Sequence, residues 1–434
     1  MNKNIIEYKK KTKISRSLFK KSLKLHVNGV SHNIRYFHPY PFVTKFAEGK
    51  YITDVDKNRY IDFWMGHWSL ILGHTNDIVT KHTLKQISHG WMYGTINEQT
   101  IKLSELIIKY LPKMEKIRYV TTGTEAAMYA IRLARSSTKK KLVAKIDGGW
   151  HGYTTDLLKT INWPFSESES NGLINEEYIT SLPFNNLEKS LDILKKIKKD
   201  LACIIIEPIL GGGGCIPANK DYLKGLQEFA IDNDIMFILD EIVTGFRFRF
   251  GCMYSKMNLS PDIIILGKII GGGMPIGVIC GNKEIMEKSN TTTNTKLERT
   301  YIGGGTFSAN PLTMISGYHT LNLLKNKQSI YEKINKLGEK TRLLLTKIFD
   351  GKAIITGTGS IFMTHFLRDN VINITNASDA ARCNTKLLQE YHLKLISHDN
   401  IFFLPGKLGI ISNAHSSTDV KKLADASIEF ANSI

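Results

Sequence analysis

The chain has 434 residues, 42% hydrophobic and 23% charged with no low-complexity block, and is long enough for one large core and a smaller second one. Formal net charge is +18. That raises nucleic acid as a partner, but residues 1–25 carry nine basic side chains against one acidic, so +8 of the excess lies in one terminal segment. No aromatic-basic RNA motif or recognition-helix pattern appears elsewhere, so no nucleic-acid partner is expected.

No apolar run reaches the roughly 18 residues that would span a bilayer, so no membrane partner is expected. The five cysteines (Cys203, Cys215, Cys252, Cys280, Cys383) are scattered and odd in number, without a CxxC pair. This argues against a disulfide framework or a metal site and for a reducing, cytoplasmic setting. The N-terminus lacks the apolar stretch of a secretory signal, and it is lysine-rich rather than arginine- and serine-rich, which disfavours a transit peptide.

In chain order, residues 5–25 are expected to form one amphipathic basic helix. Extended pieces follow at 42–46, 51–56 and 60–63, the last two joined by a hairpin turn at Asp56–Asn58. Apolar and small residues at helical spacing (Ala127, Met128, Ala130, Ile131, Leu133, Ala134) predict a helix over 124–135. Short all-apolar runs at 142–146, 202–206, 235–239, 263–266 and 276–280 read as buried strands, with helices at 187–198 and 221–232 between some of them. This alternation predicts a mostly parallel sheet covered on both faces.

Beyond it come helices at 314–327 and 330–349, strands near 353–356, 360–366 and 409–412, and a closing helix at 417–433. The expected organisation is a basic N-terminal helix (1–25), the N-terminal part of a smaller domain (26–95), a large α/β domain (96–315) and the rest of a small α+β domain (316–434).

Ligands of parallel α/β sheets sit at the carboxyl ends of the strands, and four polar features fall there. Thr121–Glu125 opens the helix at 124–135 with small hydroxyl residues and a glycine; it reads either as an anion cradle or as an ordinary N-cap. Trp150-His151-Gly152 follows the strand at 142–146, and the tryptophan is either a platform for a flat ring or a core residue. Asp240 ends the strand at 235–239, either to meet a buried cation or to cap a loop. Lys268 ends the strand at 263–266, where desolvation would lower its pKa unless it snorkels to solvent. A strand-end lysine that takes up an aldehyde and a strand-end aspartate that holds a pyridine nitrogen protonated are the pair pyridoxal phosphate requires.

In this order and spacing the motifs resemble the class III pyridoxal-phosphate aminotransferases of fold type I, most closely the glutamate-1-semialdehyde 2,1-aminomutase branch. The resemblance runs from about Val27 to the C-terminus. It is carried by Tyr60–Phe63 with Leu72–His74, Thr122–Ala126, Ala130–Arg135, His151-Gly152, Glu207-Pro208, Asp240–Arg247, Leu266–Gly277, Gly305–Pro311 and Ser412–Ser416. It implies a large α/β/α domain with a seven-stranded-type, mostly parallel sheet, plus a smaller α+β domain.

The resemblance implies Lys268 as the Schiff-base lysine and proton shuttle, with the cofactor covalent there and passing through a pyridoxamine form. Asp240 would hold the pyridine nitrogen, with His151 and Glu207 among the cofactor-binding positions. Trp150 and Ile242 would flank the ring. Thr122, Gly123 and Thr124 would hold the phosphate, joined by Thr306 from the neighbouring subunit of a homodimer. Arg35 matches an arginine that binds a substrate carboxylate.

His32 and His67 stand where the aminomutase pattern has serine and tryptophan. The stretch Leu404–Ser412 is about two residues shorter than the pattern and lacks its glutamate. Asn162–Leu173 falls where the aminomutase has a gating loop, and reads as either a lid or a surface insertion. The implied activity is conversion of the semialdehyde to 5-aminolevulinate. The alternatives are an intermolecular aminotransferase using another amine donor and a keto acid, and a catalytically silent relative.

Overall fold

The computed structural model describes residues 3–166, 176–368 and 371–434. They fall into two compact units, one of Asp77–Tyr331 with Thr375–Ala381 and one of Met1–Asn76, Glu332–Ile374 and Arg382–Ile434.

The first unit is built on a seven-stranded sheet. Its strands are β1 Lys116–Val120, β2 Leu142–Ile146, β3 Ile179–Leu182, β4 Leu201–Ile206, β5 Met236–Asp240, β6 Ile263–Gly267 and β7 Gly277–Gly281. Their order across the sheet is β1-β7-β6-β5-β4-β2-β3. Neighbours pair in parallel except at β7, which runs antiparallel to both β6 and β1. β4, β6 and β7 are buried at every residue, so they read as unbroken apolar runs rather than alternating ones.

Helix Gly123–Thr138 lies on this sheet through Ala126, Ala127, Ala130, Ile131, Leu133 and Ala134. Four alanines bring its axis close, so β-carbons and isoleucines fill the layer; truncating a buried isoleucine such as Ile205 to alanine would cost about 2–5 kcal/mol.

The expected mostly parallel sheet is present, with two edge strands that the apolar-run pattern passes over. β1 carries Lys116 and Arg118, and β3 is the four-residue Ile179–Leu182; an edge strand buries less and so alternates or shortens. Helices Asp77–Ser88 and Glu98–Lys109 were likewise not expected. The helix expected from 314 starts at Pro311, with the Asn310 side chain accepting from Thr313 N at 2.9 Å.

The second unit holds a four-stranded sheet of Thr44–Glu48, Tyr51–Asp54, Arg59–Asp62 and Ile401–Phe402, and a three-stranded sheet of Ala353–Thr356, Ile361–Phe366 and Gly409–Ile410. The hairpin between the second and third strands is closed by buried Asp54, which accepts from Asn58 N at 2.8 Å, Asn58 Nδ2 at 2.8 Å and Tyr60 Oη at 3.0 Å.

The single helix expected over 5–25 is two, Lys3–Lys11 and Lys13–Ser22. The break is at Thr12 (φ −120°, ψ 48°), whose buried hydroxyl bonds Tyr8 O at 2.6 Å and Tyr40 Oη at 2.9 Å. Burying that hydroxyl turns the basic helices onto an aromatic cluster of Tyr8, Phe37, Tyr40, Phe42, Tyr60 and Phe402. Among the described residues no helix is long and apolar enough to cross a membrane.

Candidate active site

The carboxyl ends of β2, β4, β5 and β6 bring together most of the expected cofactor residues, all within the first unit. Asp240 closes β5, 4% exposed. Its Oδ1 accepts from Ile242 N at 3.0 Å, and its Oδ2 lies 2.7 Å from His151 Nδ1. Burial lowers the pKa of His151 despite that carboxylate. The ring is therefore neutral, Nδ1–H donates to Asp240, and Nε2 is left as a buried acceptor with no hydrogen-bond partner. The adjacent Glu241 turns the other way. It accepts from Thr244 Oγ1 at 2.9 Å, Met253 N at 2.8 Å and Tyr254 N at 2.9 Å, so of the two neighbouring acids only Asp240 is presented at this strand end.

Lys268 follows β6 in a left-handed conformation, φ 48°. A non-glycine residue held there costs about 1–3 kcal/mol. Its amine is pushed down to about 8, chiefly by desolvation, with Arg247 adding to the effect and Asp240 and Glu207 opposing it. It does not snorkel free of the sheet. Arg247 is fully buried, and its Nε donates to Val243 O at 2.6 Å.

Thr122 is the N-cap of helix Gly123–Thr138 in a capping box. Its hydroxyl accepts from Glu125 N at 3.2 Å, while Glu125 Oε2 accepts from Thr121 N at 2.9 Å and Thr122 N at 2.8 Å. The cap and the anion cradle are thus compatible: the box consumes those N–H groups, and those of Gly123 and Thr124, in the first turn, have no intrahelical acceptor. Gly123 is a close approach, since a β-carbon there would lie 2.6 Å from Ile242 Cδ1.

Trp150 is half-buried, edge-on to Tyr153 with ring centroids 4.8 Å apart. Glu207 Oε1 accepts from Trp150 N at 2.9 Å and Oε2 from Gly211 N at 3.1 Å. Burial and the Asp240 carboxylate raise the pKa of Glu207 above the ordinary carboxylate range, against the pull of those two N–H groups and Lys268. Thr306 is exposed, in a loop whose Gly305 faces Thr121 and Glu125.

Arg35, His32 and His67 belong to the other unit and lie near one another there. Arg35 is exposed and donates from Nη1 to Ser31 Oγ at 2.7 Å. His32 caps the turn Asn33–Arg35 through Nδ1, and burial with the Arg35 charge pushes its pKa down. Its ring meets His67 edge-on at 6.1 Å. His67 in turn stacks on Trp64 at 4.6 Å. It sits in a left-handed turn in which Met65, Gly66, His67 and Trp68 have φ of 47°, 59°, 62° and 71°. Of Asn162–Leu173, read as either a lid or a surface insertion, residues from 167 onward lie outside the described residues.

A seven-stranded sheet with one antiparallel member, carrying a strand-end lysine of lowered pKa beside a strand-end aspartate, defines an α/β transferase suited to an aldehyde cofactor. The family model for class-III aminotransferases matches residues 34–396. A glutamate-1-semialdehyde 2,1-aminomutase of Archaeoglobus fulgidus is 34% identical over 426 residues, 95% of this chain and 98% of the relative. An omega-transaminase from Sphaerobacter thermophilus superposes with TM-score 0.88 at 26% identity, over 96% of this chain and 98% of that one. A transaminase with pyridoxal phosphate bound superposes at 0.85 and 25% identity, over 97% and 98%. The chain belongs to the class-III aminotransferase family, whose members depend on pyridoxal phosphate, and it has that family's fold.

Proposed function

We propose that this enzyme is a glutamate-1-semialdehyde 2,1-aminomutase that forms 5-aminolevulinate, with pyridoxal phosphate covalent on Lys268. The substrate half of the reading is carried by 34% identity across nearly the whole chain to relatives of that name.

The residues fit the cofactor. Asp240 has both oxygens oriented by Ile242 N and His151, so it would hold a protonated ring nitrogen as a charge-assisted partner. Gly123 and Thr124 N–H at the helix N-terminus, with Thr122, would take the phosphate. Trp150 and Ile242 would flank the ring. The bound cofactor supplies an aldehyde that captures amines and a ring that withdraws electrons.

The chain supplies the proton chemistry. With a pKa near 8, about a tenth of Lys268 Nζ is neutral at pH 7, far more than for an ordinary lysine. It can take the proton from the substrate Cα and return it to the carbon that gains the new C–H bond. Arg35 would bind the substrate carboxylate through its fork of donors.

The same reading makes the functional unit a homodimer with Thr306 reaching the partner's phosphate site. Exposed Trp91, Tyr93, Ile96, Tyr301 and Phe307 support a covered face, and Asn97 Nδ2 bonded to Ala309 O at 3.0 Å joins the two loops that carry most of them. Five buried cysteines with no disulfide suit a reducing cytoplasm.

Purified enzyme given the semialdehyde alone is expected to form 5-aminolevulinate. Product only after a keto acid is added would assign the intermolecular aminotransferase instead, a reading favoured by His32 and His67 standing at departures from the aminomutase pattern. Borohydride treatment is expected to add the cofactor's mass at Lys268, and no adduct there would remove both readings.

A further inference from the structure

Three consecutive residues of the loop after β2 are each gripped by an ionisable side chain from a different strand, and β2, β4 and β5 are neighbours in the sheet. Lys145, on β2 and 0% exposed, donates from Nζ to Gly149 O at 3.0 Å. Glu207, one residue past β4 and 5% exposed, accepts from Trp150 N. Asp240, the last residue of β5, bonds the His151 ring. The first two grips hold backbone, so they act on where Trp150 sits whatever its side chain does.

The two backbone grips reach further. Lys145 Nζ also donates to Lys159 O at 2.5 Å, and Gly148 N donates to Thr160 O at 2.8 Å, so the loop is closed at its neck. Glu207 Oε2 ties the same point to Gly211 N, at the start of the glycine run Gly211–Gly214. At the far flank Tyr153 N donates to Thr124 Oγ1 at 3.2 Å, which joins the loop to the helix N-terminus. Gly148 (φ +77°) and Gly152 (φ +89°) bracket the gripped residues, and a β-carbon on them would collide with Ala377 and Thr124 respectively.

Burying a lysine and two carboxylates at the ends of adjacent strands is costly unless each meets partners in a set geometry. Here the lysine and one carboxylate meet the main chain of the stretch 147–154, which has no helix or strand, the kind of segment that is otherwise mobile. We propose that Lys145 and Glu207 are positioning residues that hold Trp150 and His151 against the cofactor site. Lys145 reaches the chemistry through those two residues, and Glu207 does so in addition to its direct pull on the Lys268 amine. This rests on the reading that Trp150 flanks the ring of pyridoxal phosphate and Asp240 holds its nitrogen.

The test compares wild type, Lys145→Met and Glu207→Gln by hydrogen–deuterium exchange over residues 147–160, with and without cofactor, and by the pyridoxal phosphate dissociation constant. Gln keeps one acceptor oxygen and turns an NH2 toward the other N–H, so it opposes either Trp150 N or Gly211 N. Loss of one such bond is expected to speed exchange at the loop by about tenfold in the cofactor-free protein and to weaken cofactor binding by a similar factor. The exchange of helix Gly123–Thr138 is expected to stay unchanged.

A Lys145→Arg variant is expected to recover part of the protection, because its guanidinium can still donate to two carbonyls. Unchanged loop exchange in Glu207→Gln overturns the proposal, whether or not Lys145→Met folds. So does acceleration spread evenly over the unit, which would mark a general packing role. If the wild type takes up no pyridoxal phosphate, the proposed function fails, while the exchange of the cofactor-free proteins still decides the clamp.

Discussion

Replacing Lys268 with methionine should make the cofactor-free protein more stable while abolishing covalent attachment. The amine stands at about 8 in the folded chain against an ordinary 10.5. At 1.36 kcal/mol per pKa unit this corresponds to an upper limit of about 3 kcal/mol spent on keeping the protonated amine in place. The pull of Asp240 and Glu207 is already contained in that net lowering, and the partial exposure of Lys268 reduces the limit through solvent screening. A net gain of about 1–2 kcal/mol is expected. Backbone strain does not enter the difference, since methionine inherits the φ of 48°.

The sign follows from proton binding. Between pH 8 and 10.5 the unfolded chain holds a proton on this lysine that the folded chain does not, so wild-type stability rises with pH through that window. The variant's lead is therefore full below about pH 8 and gone above about pH 10.5. Urea midpoints of the two cofactor-free proteins at about pH 7 and about pH 9.5 measure it. A variant no more stable at the lower pH, or a lead of equal size at both, would refute a lysine held at energetic cost for its chemistry.

Other expectations are more local. Asp240→Asn cannot carry the charge that holds the ring nitrogen protonated, and kcat should fall by about 10- to 100-fold with weaker cofactor binding; wild-type turnover would exclude that role. Arg35→Lys keeps the charge but loses the fork, so KM for the semialdehyde should rise about tenfold with kcat nearly unchanged, and an unaltered KM would remove Arg35 from the substrate. Lys139 is exposed and ends helix Gly123–Thr138 in the left-handed region (φ 59°, ψ 18°), where glycine is the better residue. Lys139→Gly should stabilise the enzyme by about 1 kcal/mol, read as a raised melting temperature, and a lowered one would contradict the cap geometry.

The central strands were legible because burial on both faces leaves nothing but apolar residues to read. β4 at Leu201–Ile206 and β6 at Ile263–Gly267 are of this kind. β1 was not, because an edge strand can carry Lys116 and Arg118 without penalty. Lys268 and Asp240 stood out for the complementary reason: a charge following an apolar strand has to be explained. Glu241 shows the limit of that signal. It stands beside Asp240 and is as acidic, yet it caps the segment at Met253-Tyr254, and no pattern separates the two until the backbone sets their directions.

Lys145 is the opposite case. Written as Leu142-Val-Ala-Lys-Ile146, the strand shows one lysine that looks like an outward-facing residue, and only the return of the chain at Gly149 and Lys159 gives its amine two carbonyls to meet. The residues proposed to hold the cofactor are legible because they stand at strand ends. The residue proposed to aim them is not, because such a residue is defined by where the loop comes back and not by what stands beside it in the chain. His32 and His67 follow the same logic in the other unit, where the left-handed turn at Met65–Trp68 sets the direction of His67 and no residue type there announces it. Substrate preference in this family should therefore be sought in loop geometry around Arg35 and His67, and an Arg35 variant that leaves KM unaltered would move that search to the His32–His67 contact itself.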